Sequence, residues 1–152
     1  MKVLTGAALA VVVGLIGASV AIGAATLTKN QYIAKLQTAQ TQRTKAKTTA
    51  LGIGTTGMTP AQVKANFQVW AKTESRLGRA FAALKPPSAA KKGNADLVKA
   101  EQLYSTQLLA IAAKLPSTMA EINTYLLGLK QPTGGKLLNH ALAELSAAGF
   151  KV

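Results

Sequence analysis

From Val63 to Leu115 the chain sets large apolar residues at alternating intervals of four and three, a spacing that suits only a helical backbone. Val63, Phe67, Trp70, Leu77, Phe81 and Leu84 would share one stripe of a helix with 3.6 residues per turn. After Pro86 and Pro87, Leu97, Tyr104, Leu108, Ile111 and Leu115 repeat the alternation. Each stripe skips one position, and an acid fills it: Glu74 in the first, Glu101 in the second. Two such helices, joined at the "LKPP" corner, bury their stripes best as an antiparallel hairpin with a shallow crossing angle. No run alternates apolar and polar residues between turn signals as a half-buried strand would. The expected fold is all-α: an antiparallel bundle of about four helices after an N-terminal hydrophobic helix.

Flanking segments supply the other walls. "LTKNQYIAKLQTAQTQRTKAKTTALG" carries Tyr32, Ile33 and Leu36 on one side, then turns polar, and Gly52 offers a stop after Leu51. Thr59 and Pro60 stand where an N-cap and first helical residue belong. Thr118 and Glu121 spell a capping box ahead of Met119, Ile122, Leu126 and Leu129. Pro132, Gly134 and Gly135 should break the chain, so a last helix is expected from Lys136 to about Ala148, closed by Gly149.

Whether the two seam acids meet depends on the corner. If the second helix starts directly at Pro87, facing residue numbers sum to about 175 and Glu74 meets Glu101. If "SAAKKGN" is loop and Asn94 caps the helix, the sum is about 180 and Glu74 approaches Tyr104. Facing acids would raise the pKa of one or draw a cation between them, and a Lys or Arg of the first helix is expected to cap them at the bundle edge. Metal binding is not expected: the Glu-x-x-His motif of bundle di-metal sites is missing, and His140 stands four before Glu144, a spacing typical of an exposed pair. Gly52, Gly54 and Gly57 spell G-x-G-x-x-G, but a helix rather than a strand precedes them, so they are expected to be an interhelical loop without a cofactor.

Between Lys2 and Lys29 lie 26 residues without a formal charge, longer than the roughly 20 that span a hydrocarbon core. Residues 1–25 read as a signal peptide or membrane anchor and residues 26–152 as one bundle domain. Gly23 with Ala25 would direct cleavage before Thr26, and Ser19 with Ala21 before Ile22. Gly6, Ala10, Gly14 and Ala18 at spacing four could instead let two spanning helices approach. The basic residues after the segment, Lys29, Lys35, Arg43, Lys45 and Lys47, would hold an anchored body in the cytoplasm. Export to the cell envelope is the expectation, and a membrane-anchored protein with a cytoplasmic body is the rival.

"LTKNQYIAKLQTAQ", "FAALKPPSAA", "LVKAEQLYSTQLLAIAAKL" and the ending "AELSAAGFKV", behind a leader, resemble small exported helical-bundle proteins of high-GC actinobacteria, many of them lipoproteins. The resemblance covers most of residues 26–152 and implies an exported bundle without an assigned activity. Such proteins often carry a cysteine in the first helix and another at the C-terminus; here Leu36 to Gln40 and Val152 occupy those neighbourhoods, and the chain has no cysteine.

Charge gives the main functional indication. Lys and Arg number 18 against 5 Asp and Glu, a net +13, or +12 without Lys2. That balance favours polyanions, and the expected partners are an anionic envelope polymer or lipid headgroups, with the membrane also within reach of residues 3–28. Arg43, Lys45 and Lys47 form the densest basic cluster; Arg76, Arg79, Lys91 and Lys92 form the next. The alternative is a membrane-tethered cytoplasmic protein associated with nucleic acid, but no recognised binding motif is present and seven aromatics leave little for base stacking. Catalysis is not expected, since Glu74 with Glu101 is the only evident source of a general acid and base.

Overall fold

The computed structural model describes residues 25–52 and 57–151. Residues 1–24 of the leader or anchor segment, with its small-residue face, lie outside them, as does Gly54. The described residues form five α-helices and no strand: α1 (Lys29–Ala50), α2 (Pro60–Ala82), α3 (Lys91–Lys114), α4 (Met119–Gly128) and α5 (Thr133–Ala147). Among them no helix is long and apolar enough to cross a membrane.

Threonine caps begin three of the helices. Thr28 and Thr59 each accept from the backbone N–H three residues on, while Gln31 and Gln62 return the bond to the cap N–H. Thr118 accepts from Glu121 N–H, but its hydroxyl donates to the Glu121 carboxylate at 2.7 Å, so only half of the expected box forms. Gly149, at φ +87°, ends α5 in a Schellman arrangement: Phe150 N–H reaches Leu145 O and Gly149 N–H reaches Ser146 O, both at 2.9 Å. That turn folds the Phe150 ring inward against Tyr32, with centroids 5.5 Å apart.

The hairpin of α2 and α3 is the centre of the molecule; α1 packs on α2 and α5 on α3. Its corner is a single 3-10 turn, Ser88–Ala90, that runs straight into α3. The register is therefore the tighter of the two expected. Ser105 Oγ donates to Ala71 O at 2.8 Å, Asn94 Nδ2 donates to Phe81 O at 3.2 Å, and Glu74 faces Glu101. Asn94 lies inside α3 and caps nothing; its amide joins Phe81 O to the Tyr32 hydroxyl.

Two apolar clusters fill the bundle. Tyr32, Leu36, Leu77, Phe81, Leu97, Leu138, Leu145 and Phe150 pack at the corner end. Val63, Phe67, Trp70, Leu108, Ile111 and Ile122 pack at the other, which α4 closes with Ile122. Between them Arg43, Glu74 and Glu101 form a polar layer, all 7% exposed or less.

The last helix departs from expectation. It starts at Thr133, so Gly134 and Gly135 are its buried first turn and not a break. They are small because α5 crosses α3 there: a Cβ on Gly134 would stand 2.4 Å from the Tyr104 backbone N. The freed Gly134 N–H is taken up by Gln107 Oε1 at 2.7 Å.

Candidate functional site

Tyr32, Leu36, Ala39, Arg43 and Ala50 are the buried residues of α1, so Arg43 occupies a core position between apolar neighbours. Its Nε donates to Glu74 Oε2 at 3.3 Å, its Nη2 to Glu101 Oε1, and its Nη1 to Gln40 Oε1 at 2.6 Å. Trp70 Nε1 donates to the other oxygen of Glu74 at 2.7 Å. Glu101 Oε2 is buried and accepts from no donor. Burial, and then the neighbouring Glu74, push the Glu101 pKa up to about 9 against the pull of Arg43. Burial thus favours the protonated form of Glu101, and the Arg43 guanidinium has its charge compensated inside the core by the two carboxyl groups that hold it. The cation is Arg43 of α1, and it lies in the core rather than at the bundle edge where a capping base was expected, because both carboxylates it pairs with are fully buried.

A cleft opens above this layer between α1, which packs on α2, and α5, which packs on α3. Its volume is about 320 Å³. Gln40, Arg43, Thr44 and Lys47 line it from α1, and Gly135, Leu138, Asn139 and Leu142 from α5. Trp70 and Tyr104 form the floor, rings nearly perpendicular at 84° and 5.5 Å apart. Gly135 leaves room for the Tyr104 ring, whose hydroxyl makes no hydrogen bond among the described residues. Burial first, and the adjacent Glu74, hold that phenol protonated well above its usual range. A second compartment of about 280 Å³, lined by Gln40, Leu142, Ala143 and Ser146, continues the cleft along the same two helices.

The basic residues singled out in the sequence do not form the clusters expected of them. Arg43 is not a surface residue; two carboxylates hold it inside. Lys45 and Lys47 are exposed, but two residues turn a helix by about 200°, so Lys47 borders the cleft while Lys45 points away from it. Lys92 is engaged by Glu144, at 2.8 and 3.0 Å, and by Asp96 at 2.9 Å; both bonds, that to Glu144 first, push its pKa up to about 12. Lys91 is exposed at the start of α3. Arg76 and Arg79 are exposed on α2, and Lys72 joins them at spacing four and three on the same face, a residue the sequence reading passed over. Arg76 Nη2 donates to Gln42 Oε1 at 3.1 Å, which brings this face up against α1.

Acids are distributed unequally. Glu74, the only acid of α2, is buried, and α1 has none. The acids that reach the surface, Asp96, Glu121 and Glu144, lie on α3, α4 and α5. Every described Lys and Arg except Arg43 is exposed. His140 Nε2 stands 3.6 Å from Glu144 Oε1 at the surface, and among the described residues no three His, Asp or Glu side chains gather to hold a metal. Comparison with known proteins adds no relative: no family model, curated protein or solved structure matches the chain.

Proposed function

We propose that the protein is a cell-envelope binding protein, exported from the cytoplasm, that docks on an anionic polymer or lipid surface through the basic faces of α1 and α2. The acid-free exposed surface of those two helices carries this proposal. Lys35, Lys45, Lys72, Arg76 and Arg79 stand there with no exposed carboxylate on either helix to compensate them, so a polyanion meets uncancelled charge. Catalysis is not part of the proposal: Glu74 and Glu101, the two acids that could cooperate, are committed to Arg43 and Trp70.

Residues 26–152 should bind acidic polysaccharide or vesicles containing anionic lipid, not neutral vesicles. Binding should weaken steeply between 0.1 and 1 M salt, where the screening length falls from about 10 to about 3 Å. Reversing Lys45, Lys72, Arg76 and Arg79 to Glu should abolish retention at 0.1 M salt, while reversing Lys114, Lys130 and Lys136, which lie outside α1 and α2, should leave most of it. No retention of the parent at low salt would remove polyanion binding altogether. Equal loss from both reversals would remove the assignment to α1 and α2. Export is tested separately: the protein isolated from its own cell should have an intact mass that starts at Thr26 or Ile22, and persistence of Met1 in a membrane fraction with a protease-protected body would overturn it.

A further inference from the structure

We propose that the cleft between α1 and α5 is a subsite for one carboxylate-bearing sugar unit of an acidic polysaccharide; this rests on, and narrows, the polyanion-binding proposal above. No carboxylate lines the cleft, while Lys47 stands at its edge and Arg43 forms its inner wall. Arg43 is held by Glu74 and Glu101, so Lys47 is the one charged group of the lining without an ion-pair partner among the described residues, which matches a monoanion. The remaining polar groups select further. Gln40, Thr44, Asn139 and the unbonded Tyr104 hydroxyl each donate and accept, so they pair best with hydroxyls that do the same, and poorly with a bare inorganic anion that only accepts. Leu142, half-buried at the wall of the cleft, offers apolar surface to the C–H face of a sugar ring. The volume of about 320 Å³ lies at the small end of ligand pockets, suited to a single ring. The second compartment shares Gln40 and Leu142 with the first and leaves a path for the next unit of a chain.

Other polyanions fit less well. A lipid tail needs a continuous apolar wall, which the amides and hydroxyls interrupt. A nucleobase needs an open aromatic face, and Trp70 is 4% exposed with Tyr104 set edge-on against it.

Trp70 is the only tryptophan and lies in the cleft floor, so its fluorescence reports occupancy directly. The full-length chain in a polyoxyethylene detergent is titrated with sodium glucuronate, methyl glucoside, sodium acetate and glycerol phosphate at constant ionic strength. Glucuronate should give a saturable change with a dissociation constant on the order of 1 mM, as expected of so small a ligand. Methyl glucoside, acetate and glycerol phosphate should bind at least tenfold more weakly. Lys47→Gln, a change at an exposed position, should weaken glucuronate at least tenfold and leave methyl glucoside as it was; Lys45→Gln on the opposite side of α1 should change neither. Thr44→Leu, which fills the cleft, should abolish the response to every sugar. An equal response to acetate or glycerol phosphate overturns the sugar assignment, and an equal response to methyl glucoside overturns the role of charge. No saturable response, in a protein that still binds acidic polysaccharide through α1 and α2, overturns the subsite and leaves the broader proposal standing. Loss of both ends the two together.

Discussion

A carboxyl group with no exposure and one oxygen without a donor is driven toward its protonated form, and Glu101 is such a group. Unfolded, it titrates near 4.5; folded, near 9. Between those values the folded state holds a proton that the unfolded state has lost, so this group's contribution to stability falls as pH rises, by at most about 1.4 kcal/mol per pH unit. Below about 4.5 both states are protonated and the contribution is flat. Glu101→Gln keeps the shape and removes the titration. In urea unfolding at pH 5 and pH 8, the parent should lose stability across the interval and the variant should lose less; equal losses would point to another group. Arg43→Met leaves Glu74 buried without its cation and should cost about 3–5 kcal/mol, whereas Lys45→Met on the outer face should stay within about 0.5 kcal/mol. The seam positions of the two acids were legible, but whether they face each other hung on the corner, and a base of the first helix was expected only at the bundle edge. Arg43 as a base in the core was not legible, because its neighbours in the stripe, Ala39, Ala46 and Ala50, are too small to mark a seam by hydropathy. The spacing Tyr32, Leu36, Ala39, Arg43, Ala46, Ala50 still alternates four and three, and that was the available signal. A seam glutamate without a partner could become Leu at no cost, but Glu74→Leu would take from Arg43 one of its two carboxylates and from Trp70 its acceptor, and should destabilise.

Among the elements, α2 and α3 were the clearest in the sequence because their stripes carry large side chains throughout. The start of α5 was obscured because glycine has two opposite uses. Outside a packed contact Gly134 and Gly135 would weaken a helix, but here their lack of a Cβ lets two backbones meet. Nothing local in "PTGGK" distinguishes the two cases, since the reason sits across the interface in Tyr104. Gly134→Ala would drive a Cβ against backbone that has no rotamer to give, and should cost at least about 1–3 kcal/mol, the usual penalty of overpacking. Gly128→Ala, at the end of α4 with nothing within 4 Å of the added Cβ, should be neutral or stabilising by up to about 1 kcal/mol. Urea unfolding of the pair separates packing from propensity: similar small effects would mean that α5 does not dock at Gly134. The same contact bears on the cleft, whose α5 wall follows directly from this first turn, so Gly134→Ala should also weaken glucuronate binding while Gly128→Ala should not.

For the molecule as a whole, burying two of five acids leaves a surface more basic than composition alone implies. Asp96, Glu121 and Glu144 are all that offset the exposed lysines and arginines, and two of these three are already drawn to Lys92. Like charges distributed over a small bundle repel and destabilise the compact state. The Arg43 layer, by contrast, lies out of reach of mobile ions, which screen exposed charges much more than buried pairs. Added salt should therefore relieve repulsion without loosening the core. Raising sodium chloride from 0.01 to 0.5 M, where the screening length shrinks from about 30 Å to a few Å, should increase the melting temperature by several degrees, corresponding to about 1 kcal/mol for a domain of this size. Reversing Lys45, Lys72, Arg76 and Arg79 to Glu removes much of the excess, so that variant should melt higher than the parent at low salt and respond less to added salt. Thermal unfolding followed by helical circular dichroism checks both. A parent that melts lower as salt rises would mean that exposed ion pairs such as Lys92 with Glu144 hold the fold together more than repulsion strains it. The basic surface would then be stabilised by its own few acids rather than left open for a polyanion.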